Sequence, residues 1–434
     1  MQPLRGCFTT PTFTTFCTLV SGLIAMPSGR TVTGMLVGAG VSAAWHHSRG
    51  HRFFTTARWD TDQVGLALLT HIVDRLLPPD AAVTIAIDDT LFRRTGKRVH
   101  AAGWQHDGSA RHAPGVPKLG YGNCFVVAVI LIQLPFRTRP VGLPVLVRLY
   151  TPGAPGTGRH NRRAVRGPGK ATKPALARQM INLIAATLPD RRLHIVADAG
   201  YATGDMRYLP AHVTYTTRAR ANAAFCHPAT PEPGKPGRPR IYGPKTTADE
   251  LAADPATHTA QCYGKPRTCT AATITCLWQG VFARQRLRVI TLLGDGDPIR
   301  LVTTDLTTPV THIIERYAAR WAIEVTFTDA KTITGVGEAR NRTPAAVART
   351  VPFGLYAITI VVLWYAQHGY EAADITERRT HQPWYRTKTE PSYHDMITKL
   401  RRELIKHRNH PQSPDQPTPP ELLNLLAALP ALAA

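Results

Sequence analysis

Four polar residues late in the chain recur at spacings that could place them together on one helix. They are Tyr317, Arg320, Glu324 and Lys331. At about 100° per residue they project within a stripe roughly 60° wide on one helix, predicted over residues 311 to about 334. A separate apolar face is predicted from Ala318, Trp321, Ala322 and Val325. The simpler interpretation is an i, i+4 ion pair between Arg320 and Glu324, worth a few tenths of a kcal/mol.

Further carboxylates stand where two strands are predicted to end. The run VTIAIDD at residues 83–89 ends in Asp88 and Asp89, and LHIVAD at residues 193–198 ends in Asp198. If these strand ends meet the helix that carries Glu324, three carboxylates converge. Mg²⁺ in proteins is usually bound by a few carboxylates together with phosphate oxygens and water. Two such ions about 4 Å apart can activate water and stabilise the leaving oxygen in phosphoryl transfer.

Only one of the neighbours Asp88 and Asp89 can face such a site if the strand continues, because successive side chains point to opposite faces. Asp88 shares its face with Thr90, and Asp89 would point away. Alternation alone does not choose between the two acids, and both could instead cap the following turn. We favour Asp88 because of the resemblance described below.

The charge balance favours a polyanionic partner. The 434 residues include 52 Lys and Arg against 29 Asp and Glu, which gives a formal net charge of +23. Nucleic acid is the usual partner of so basic a chain, and arginine is well shaped to bind phosphate oxygens. A peripheral membrane protein is the competing class, but no long amphipathic basic helix stands out.

The seven cysteines include no CxxC pair. Cys262, Cys269 and Cys276, with His258 nearby, make only a weak zinc pattern, since structural zinc sites normally draw on closely spaced pairs. Free thiols are typical of a reducing cytoplasm, which is the predicted location. The apolar run at residues 351–366 is shorter than the roughly 20 residues needed to span a bilayer, so a buried helix and no membrane partner are predicted.

Alternating strand and helix signals predict an α/β fold, with a mixed sheet flanked by helices and interrupted by a mainly β insertion. Five segments are predicted: a helical N-terminal region at residues 1–78, which is a candidate for DNA binding; the first part of the core at 79–215; the β-rich insertion at 216–305; the second part of the core at 306–368; and a helical tail with a proline-rich linker at 369–434. Basic loops at 159–170 and 235–240 are candidate DNA contacts. A short apolar helix is predicted at 421–429.

Taken together, these motifs resemble those of the DDE transposases of bacterial insertion sequences, within the RNase H-like superfamily. That family carries D-x-T or D-x-S on its first strand, D-x-G-Y after its fourth, and Y-x2-R-x3-E-x6-K on a late helix. The corresponding residues here begin at Asp88, Asp198 and Tyr317, and every spacing of the last motif is met. The resemblance extends over roughly residues 80 to 365 and includes the β insertion.

The resemblance implies a DNA transposase that cleaves DNA at transposon ends and then transfers strands into target DNA. Asp88, Asp198 and Glu324 would hold two Mg²⁺ ions, for which Mn²⁺ can substitute. The alternatives are a related RNase H-like nuclease without strand transfer, and an inactive or domesticated copy that acts only as a DNA-binding protein.

The resemblance also implies contacts with double-stranded DNA. Tyr317, Arg320 and Lys331 would grip the backbone beside the scissile phosphate. Trp278 in the insertion is the candidate for stacking on a flipped base, although a tryptophan in a strand is more often part of a core. A homodimer is expected in the DNA complex because two ends must be processed together. The expected location is cytoplasmic, in association with the nucleoid.

Overall fold

The computed structural model describes residues 1–108, 118–152, 171–230 and 240–409. The predicted loop at 159–170, most of the predicted loop at 235–240, the proline-rich linker and the predicted helix at 421–429 lie outside these residues.

Five strands form the centre of the molecule. They are β1 (Val83–Arg93), β3 (Leu119–Ile132), β4 (Val141–Tyr150), β5 (Leu193–Ala197) and β6 (Val213–Arg218). Their order across the sheet is β4–β3–β1–β5–β6, with β1, β5 and β6 parallel and β3 and β4 antiparallel to their neighbours. β1 and β3 are rich in fully buried Val, Ile and Ala residues, as expected for strands covered on both faces. This mixed sheet confirms the predicted RNase H-like α/β fold.

Seven further strands extend the same sheet. They are β2 (Gly103–His106), β7 (Cys226–Pro228), β8 (Tyr242–Lys245), β9 (Ala256–Cys262), β10 (Lys265–Leu277), β11 (Arg286–Leu293) and β12 (Ile299–Thr303). β2 pairs with β3, whereas β12 pairs with β6 and leads through β11 and β10 to β7 and β8. The strands within residues 226–303 are antiparallel to their neighbours and correspond to the predicted β-rich segment. The division of the chain into five segments stays a prediction.

Helices cover the sheet. Within the described residues they are α1 (Thr10–Ala25), α2 (Val32–Gly38), α3 (Ser48–Thr55), α4 (Thr61–Leu76), α5 (Lys173–Thr187), α6 (Ala248–Leu251), α7 (Gln279–Phe282), α8 (Val310–Ala319), α9 (Trp321–Thr332), α10 (Pro344–Trp364), α11 (Asp374–His381) and α12 (Tyr393–Asn409). Asp60 caps α4 by accepting hydrogen bonds from the backbone N–H groups of Asp62 and Gln63. Gly65 lets α4 approach β4 closely, because a Cβ there would lie 1.8 Å from the Val145 carbonyl oxygen.

The predicted buried helix corresponds to α10, which packs against β4, α3, α4 and α12. Phe16, Phe53 and Phe54 meet the ring of Phe353 edge-on, at centroid distances of 5.8, 6.0 and 5.2 Å. The stretch Pro344–Gly369 is long and apolar enough to cross a membrane, but 83% of its most apolar window is buried inside the protein. Such burial is typical of a core helix.

Three details of the predicted elements differ from the structure. The predicted helix at 311–334 is two helices, α8 and α9, which meet at Arg320. Its predicted apolar face was only partly right, because Ala322 is buried whereas Trp321 and Val325 are 46% and 43% exposed. The buried side of α9 is formed by Ala322, Ile323, Thr326, Phe327 and Ala330. β1 continues to Arg93, so Asp88 and Asp89 lie within the strand and not at its end.

Candidate active site

Asp88 and Asp198 lie side by side because β1 and β5 are parallel neighbours. Ile87 pairs with Ala197, so the next residue on each chain segment is an aspartate. Asp198 begins a short 3-10 turn, Ala199–Tyr201, and its carboxylate accepts a hydrogen bond from the Ala199 N–H. Its backbone carbonyl accepts a 3.0 Å hydrogen bond from the Thr217 hydroxyl, which ties it to β6.

The two acids of β1 face different helices. The Asp88 carboxylate accepts a 3.0 Å hydrogen bond from Arg320, at the junction of α8 and α9. Asp89 contacts Lys173 of α5, at 2.5 Å between Nζ and Oδ2. Neighbouring side chains in a strand point to opposite faces, so α9 and α5 lie on opposite sides of the sheet at this point. The predicted face for Asp88, towards the helix that carries Glu324, agrees with this placement.

Arg320 joins two of the three predicted acids. One of its guanidinium nitrogens donates to Asp88, and the other donates to Glu324 at 3.0 Å. α9 is itself held on β4, where the Thr326 hydroxyl donates to the Gly142 carbonyl at 2.8 Å. The ion pair predicted between Arg320 and Glu324 therefore exists, but it is part of a larger arrangement.

Asp88, Asp198 and Glu324 line one open pocket of about 530 Å³. The pKa of Asp88 is raised to about 7, mainly by burial. Arg320 lowers this pKa, whereas the negative charges of Asp89 and Asp198 also raise it. Crowding of carboxylates in a partly buried pocket is costly unless a cation is present. In the arrangement described here, Arg320 is that cation.

The fit of this pocket to a metal ion depends on Arg320. Three carboxylates are the donors that hard divalent cations prefer. Among the residues that the structure describes, no three His, Cys, Asp or Glu side chains lie close enough to hold a metal ion as they stand. The Arg320 guanidinium joins Asp88 and Glu324, so a metal ion held by these two carboxylates would take the place of this cation. The donor chemistry of the three carboxylates therefore suits a divalent cation, but Arg320 holds two of them in the arrangement described.

The other predicted cation and the tyrosine border the same site. Lys331 lines the pocket, with its ammonium 5.7 Å from the centre of the Phe92 ring. Burial lowers the pKa of Lys331, whereas the charge of Asp107 raises it. Tyr317 lies beside Arg320, whose guanidinium carbon is 5.7 Å from the ring centre. Burial raises the pKa of Tyr317, and Asp198 raises it further.

The structure contradicts an exposed stacking position for Trp278. Its side chain is 8% exposed and belongs to the main hydrophobic core. The ring packs against Phe225 and Phe282 at centroid distances of 5.2 and 6.2 Å. A large aromatic ring at the end of β10 gains more from this burial than from exposure. In this conformation the Trp278 ring is not available for stacking on a base.

Asp107 and Trp321 are among the pocket residues that sequence reasoning missed. Asp107 is almost fully buried and forms a 3.0 Å ion pair with Arg93. The sequence signal that could have identified Asp107 is its position, as an acid directly after a short strand in a glycine-rich, basic segment. Trp321 also lines the pocket, although the helical periodicity had assigned it to the core-facing side of α9.

Trp321 and Val325 also line an adjoining groove of about 630 Å³. The other walls of this groove are the turn between β3 and β4, with Arg139, and the tip of the β9–β10 hairpin, with Tyr263. The rings of Tyr263 and Trp321 meet edge-on, with centroids 6.4 Å apart. Gly264 permits this hairpin tip, because its φ is +77° and a Cβ would lie 2.8 Å from Cγ of Arg139.

The comparison with known families agrees with this geometry. A family model described as DDE superfamily endonuclease matches residues 3–283. No curated protein matches the chain. The matched residues include Asp88 and Asp198 but end before α9, so they do not include Glu324. The match spans well over half of the chain and the fold is RNase H-like. The chain therefore belongs to the DDE superfamily endonucleases, enzymes of the nuclease and transposase type that act on DNA.

Proposed function

We propose that this protein is a DNA transposase that cleaves DNA at the ends of a mobile element and joins the freed ends to target DNA. The observation that carries the proposal is the shared pocket of Asp88, Asp198 and Glu324, with Arg320 between two of them. The family match supports the nuclease part of this activity. The complete Y-x2-R-x3-E-x6-K motif supports the strand-transfer part.

Asp88, Asp198 and Glu324 would hold the divalent metal, with Mg²⁺ as the natural ion and Mn²⁺ as a substitute. When bound, two such ions supply a nucleophile at neutral pH and charge stabilisation for the departing oxygen. The chain itself supplies the three carboxylates: Asp88 lies within β1, Asp198 directly follows β5, and Glu324 lies on a helix that packs on β4.

The reaction consists of two phosphoryl transfers of the same type. First, a water oxygen attacks the phosphorus at the element end, the P–O3′ bond breaks, and the 3′ oxygen takes a proton. Next, this 3′-hydroxyl attacks a phosphorus of the target strand, whose own P–O3′ bond breaks. Both steps depend mainly on positioning and charge stabilisation. In this proposal Arg320, released from Asp88 and Glu324, would bind the phosphate oxygens together with Lys331 and Tyr317.

The adjoining groove provides a path for DNA next to the pocket. Trp321 lines both, and Tyr263 presents a second exposed ring at the hairpin tip. Arg139, Lys265 and Arg267 have no carboxylate partner within the part of the chain that the structure describes. Exposed rings with nearby unpaired cations are typical of nucleic-acid surfaces. A net charge of +23 adds general attraction to the DNA backbone.

The proposal includes a homodimer in the DNA complex, since both element ends must be cut and joined together. It also places the protein in the cytoplasm, where the bacterial nucleoid offers the DNA substrate.

The test is a joint cleavage and strand-transfer assay. Duplexes carrying the inverted repeats that flank the reading frame in its genome are incubated with the protein, supercoiled target DNA and Mg²⁺. The proposal predicts metal-dependent nicking at the repeat end and joining of its 3′ strand to the target. Cleavage without joining would make the protein a nuclease. Tight DNA binding with neither reaction would make it a DNA-binding protein only.

A further inference from the structure

Asp89 is held by three donors on the side of β1 opposite Asp88. Lys173 Nζ lies 2.5 Å from Oδ2, the Tyr201 hydroxyl donates to Oδ1 at 3.0 Å, and the Cys124 thiol donates to Oδ2 at 3.2 Å. A carboxylate with this many partners in a partly buried place has a fixed orientation. Nothing in the reaction described above uses Asp89 directly.

The Tyr201 contact connects the two strands that carry Asp88 and Asp198. The Tyr201 N–H donates to the Asp198 carbonyl at 2.9 Å, which closes the short turn after β5. Its hydroxyl reaches across to Asp89, and the Asp89 N–H donates to the Asp88 carboxylate at 2.8 Å. A continuous chain of hydrogen bonds therefore runs from Asp88 through Asp89 and Tyr201 to Asp198.

The turn after β5 is supported from behind as well. Tyr215 of β6, which is fully buried, donates its hydroxyl to the Tyr201 carbonyl at 3.0 Å. Lys173 is the first residue of α5, and its ammonium lies 5.5 Å from the centre of the Tyr150 ring. The ion pair with Lys173 partly offsets the charge of Asp89, which lies next to the pocket carboxylates.

We propose that Asp89, Lys173 and Tyr201 form a positioning cluster that sets the separation between Asp88 and Asp198. This rests on the proposed function, because the separation matters through the divalent cation that the two aspartates would share. Asp89 is a positioning residue and not a metal ligand. Groups that orient metal ligands without touching the metal typically change its affinity about 10- to 100-fold when they are removed.

The experiment measures Mn²⁺ binding to the full-length protein without DNA, by electron paramagnetic resonance of the free ion. Tyr201→Phe keeps the ring and removes only the hydroxyl. We expect it to weaken Mn²⁺ binding at least about 10-fold. Lys173→Met should act in the same direction, and Lys173→Arg should restore most of the affinity because it keeps the charge.

The matched control is Tyr356→Phe. Tyr356 is also fully buried and also donates its hydroxyl, to the Thr61 carbonyl at 3.1 Å, but it lies outside the pocket. This variant should lose a similar amount of thermal stability and keep the wild-type Mn²⁺ affinity. If the Tyr201 hydroxyl had only a structural role, both variants would lose stability and keep the wild-type Mn²⁺ affinity. That outcome would overturn the proposal. Loss of Mn²⁺ binding in Asp89→Asn with full binding in Asp88→Asn would overturn it too.

Amide hydrogen exchange separates this proposal from the proposed function, since it needs no metal. Tyr201→Phe should speed exchange at the N–H groups of Tyr201 and Thr203, which close the turn after Asp198. Unchanged exchange at these two amides would overturn the positioning cluster even for a protein that binds Mn²⁺. Faster exchange in Tyr201→Phe, together with a wild-type protein that binds no Mn²⁺, would retain the cluster and refute the metal pocket.

Discussion

The guanidinium of Arg320 and the carboxylate of Asp88 form a 3.0 Å ion pair between residues 232 positions apart in the chain. Both side chains are largely buried, at 14% and 20% exposure. A second nitrogen of Arg320 holds Glu324, so one cation joins a strand acid to a helix acid. In the metal-free protein this arginine offsets the charge that the proposed metal would otherwise neutralise.

Arg320→Ala should make stability more dependent on metal. Without the guanidinium, Asp88 is left partly buried beside Asp198, which we expect to cost about 2 kcal/mol at pH 8. Mg²⁺ should then raise the melting temperature more in the variant than in the wild type, since it no longer competes with an internal cation. The check is the melting temperature of both proteins, measured without Mg²⁺ and at Mg²⁺ concentrations that increase in 10-fold steps. An equal Mg²⁺ effect in both proteins would contradict the competition.

Arg320→Ala should also weaken DNA binding and flatten its salt dependence, because a phosphate contact is lost. The measurement is the slope of the logarithm of the DNA-binding constant against the logarithm of the salt concentration. An unaltered slope would contradict a phosphate contact by Arg320 and would indicate a purely structural role.

Asp88→Asn and Asp89→Asn should affect Mg²⁺-dependent cleavage in different ways. Asp88→Asn removes a proposed metal ligand, so cleavage should fall by at least about 1,000-fold at any Mg²⁺ concentration. Asp89→Asn should shift the Mg²⁺ concentration needed for half-maximal cleavage about 10-fold and recover most of the rate at high Mg²⁺. Titration of cleavage rate with Mg²⁺ distinguishes them. The reverse ranking would show that Asp89 is the ligand.

Trp321→Ala should weaken DNA binding without affecting the fold. The ring is 46% exposed and lines both the pocket and the groove, so its removal loses contact area with bound DNA. We expect a loss of about 10-fold in affinity, in the range for one aromatic contact to a base. Trp384→Ala is the control, because that ring is 69% exposed and lines neither cavity. Equal affinities of the two variants would exclude the groove from the DNA path.

Asp329→Asn should stabilise the protein at alkaline pH. Burial raises the pKa of Asp329 to about 6, so the folded state bears the cost of an ionised carboxylate above that pH. The cost should disappear as the pH falls from about 6 towards the ordinary value near 4. We expect a gain of about 1 to 2 kcal/mol at pH 8 and little difference at pH 4, measured by urea unfolding.

Asp305→Asn is the control of opposite sign. Although burial raises the pKa of Asp305, hydrogen bonds from Thr308 and Arg316 hold it at about 2. Its stabilising effect is therefore present above about pH 4 and is lost as the pH falls towards 2. The asparagine variant should be less stable at pH 8. A stabilising Asp305→Asn, or a neutral Asp329→Asn at pH 8, would contradict these assignments.

Local patterns predicted a mixed α/β sheet and most elements of the core, because β-branched runs and helical periodicity depend on nearby residues. The RNase H-like fold followed from the resemblance of the motifs to a known family. The same resemblance grouped Asp88, Asp198 and Glu324 as site residues, because the family motifs that contain them are visible in sequence. The break at Arg320 was missed because the helical periodicity continues across it. The exposure of Trp321 and the burial of Trp278 depend on which neighbours cover them, and those neighbours lie far away in the chain.

The partners of Asp89 illustrate the same limit. Lys173, Tyr201 and Cys124 are distant in sequence, and none forms a recognisable spacing with Asp89. Strand alternation showed that Asp89 points away from Asp88, but only the packing of α5 and the turn after β5 shows what it meets there.

The most direct test of the account is Glu324→Gln in the DNA cleavage assay, because this acid lies beyond the residues that the family match covers. Glu371→Gln, on the surface and outside the pocket, is the matched control. The account predicts that Glu324→Gln loses Mg²⁺-dependent cleavage by at least about 1,000-fold and still binds DNA within about 2-fold of the wild type. Cleavage at the wild-type rate by Glu324→Gln would contradict it.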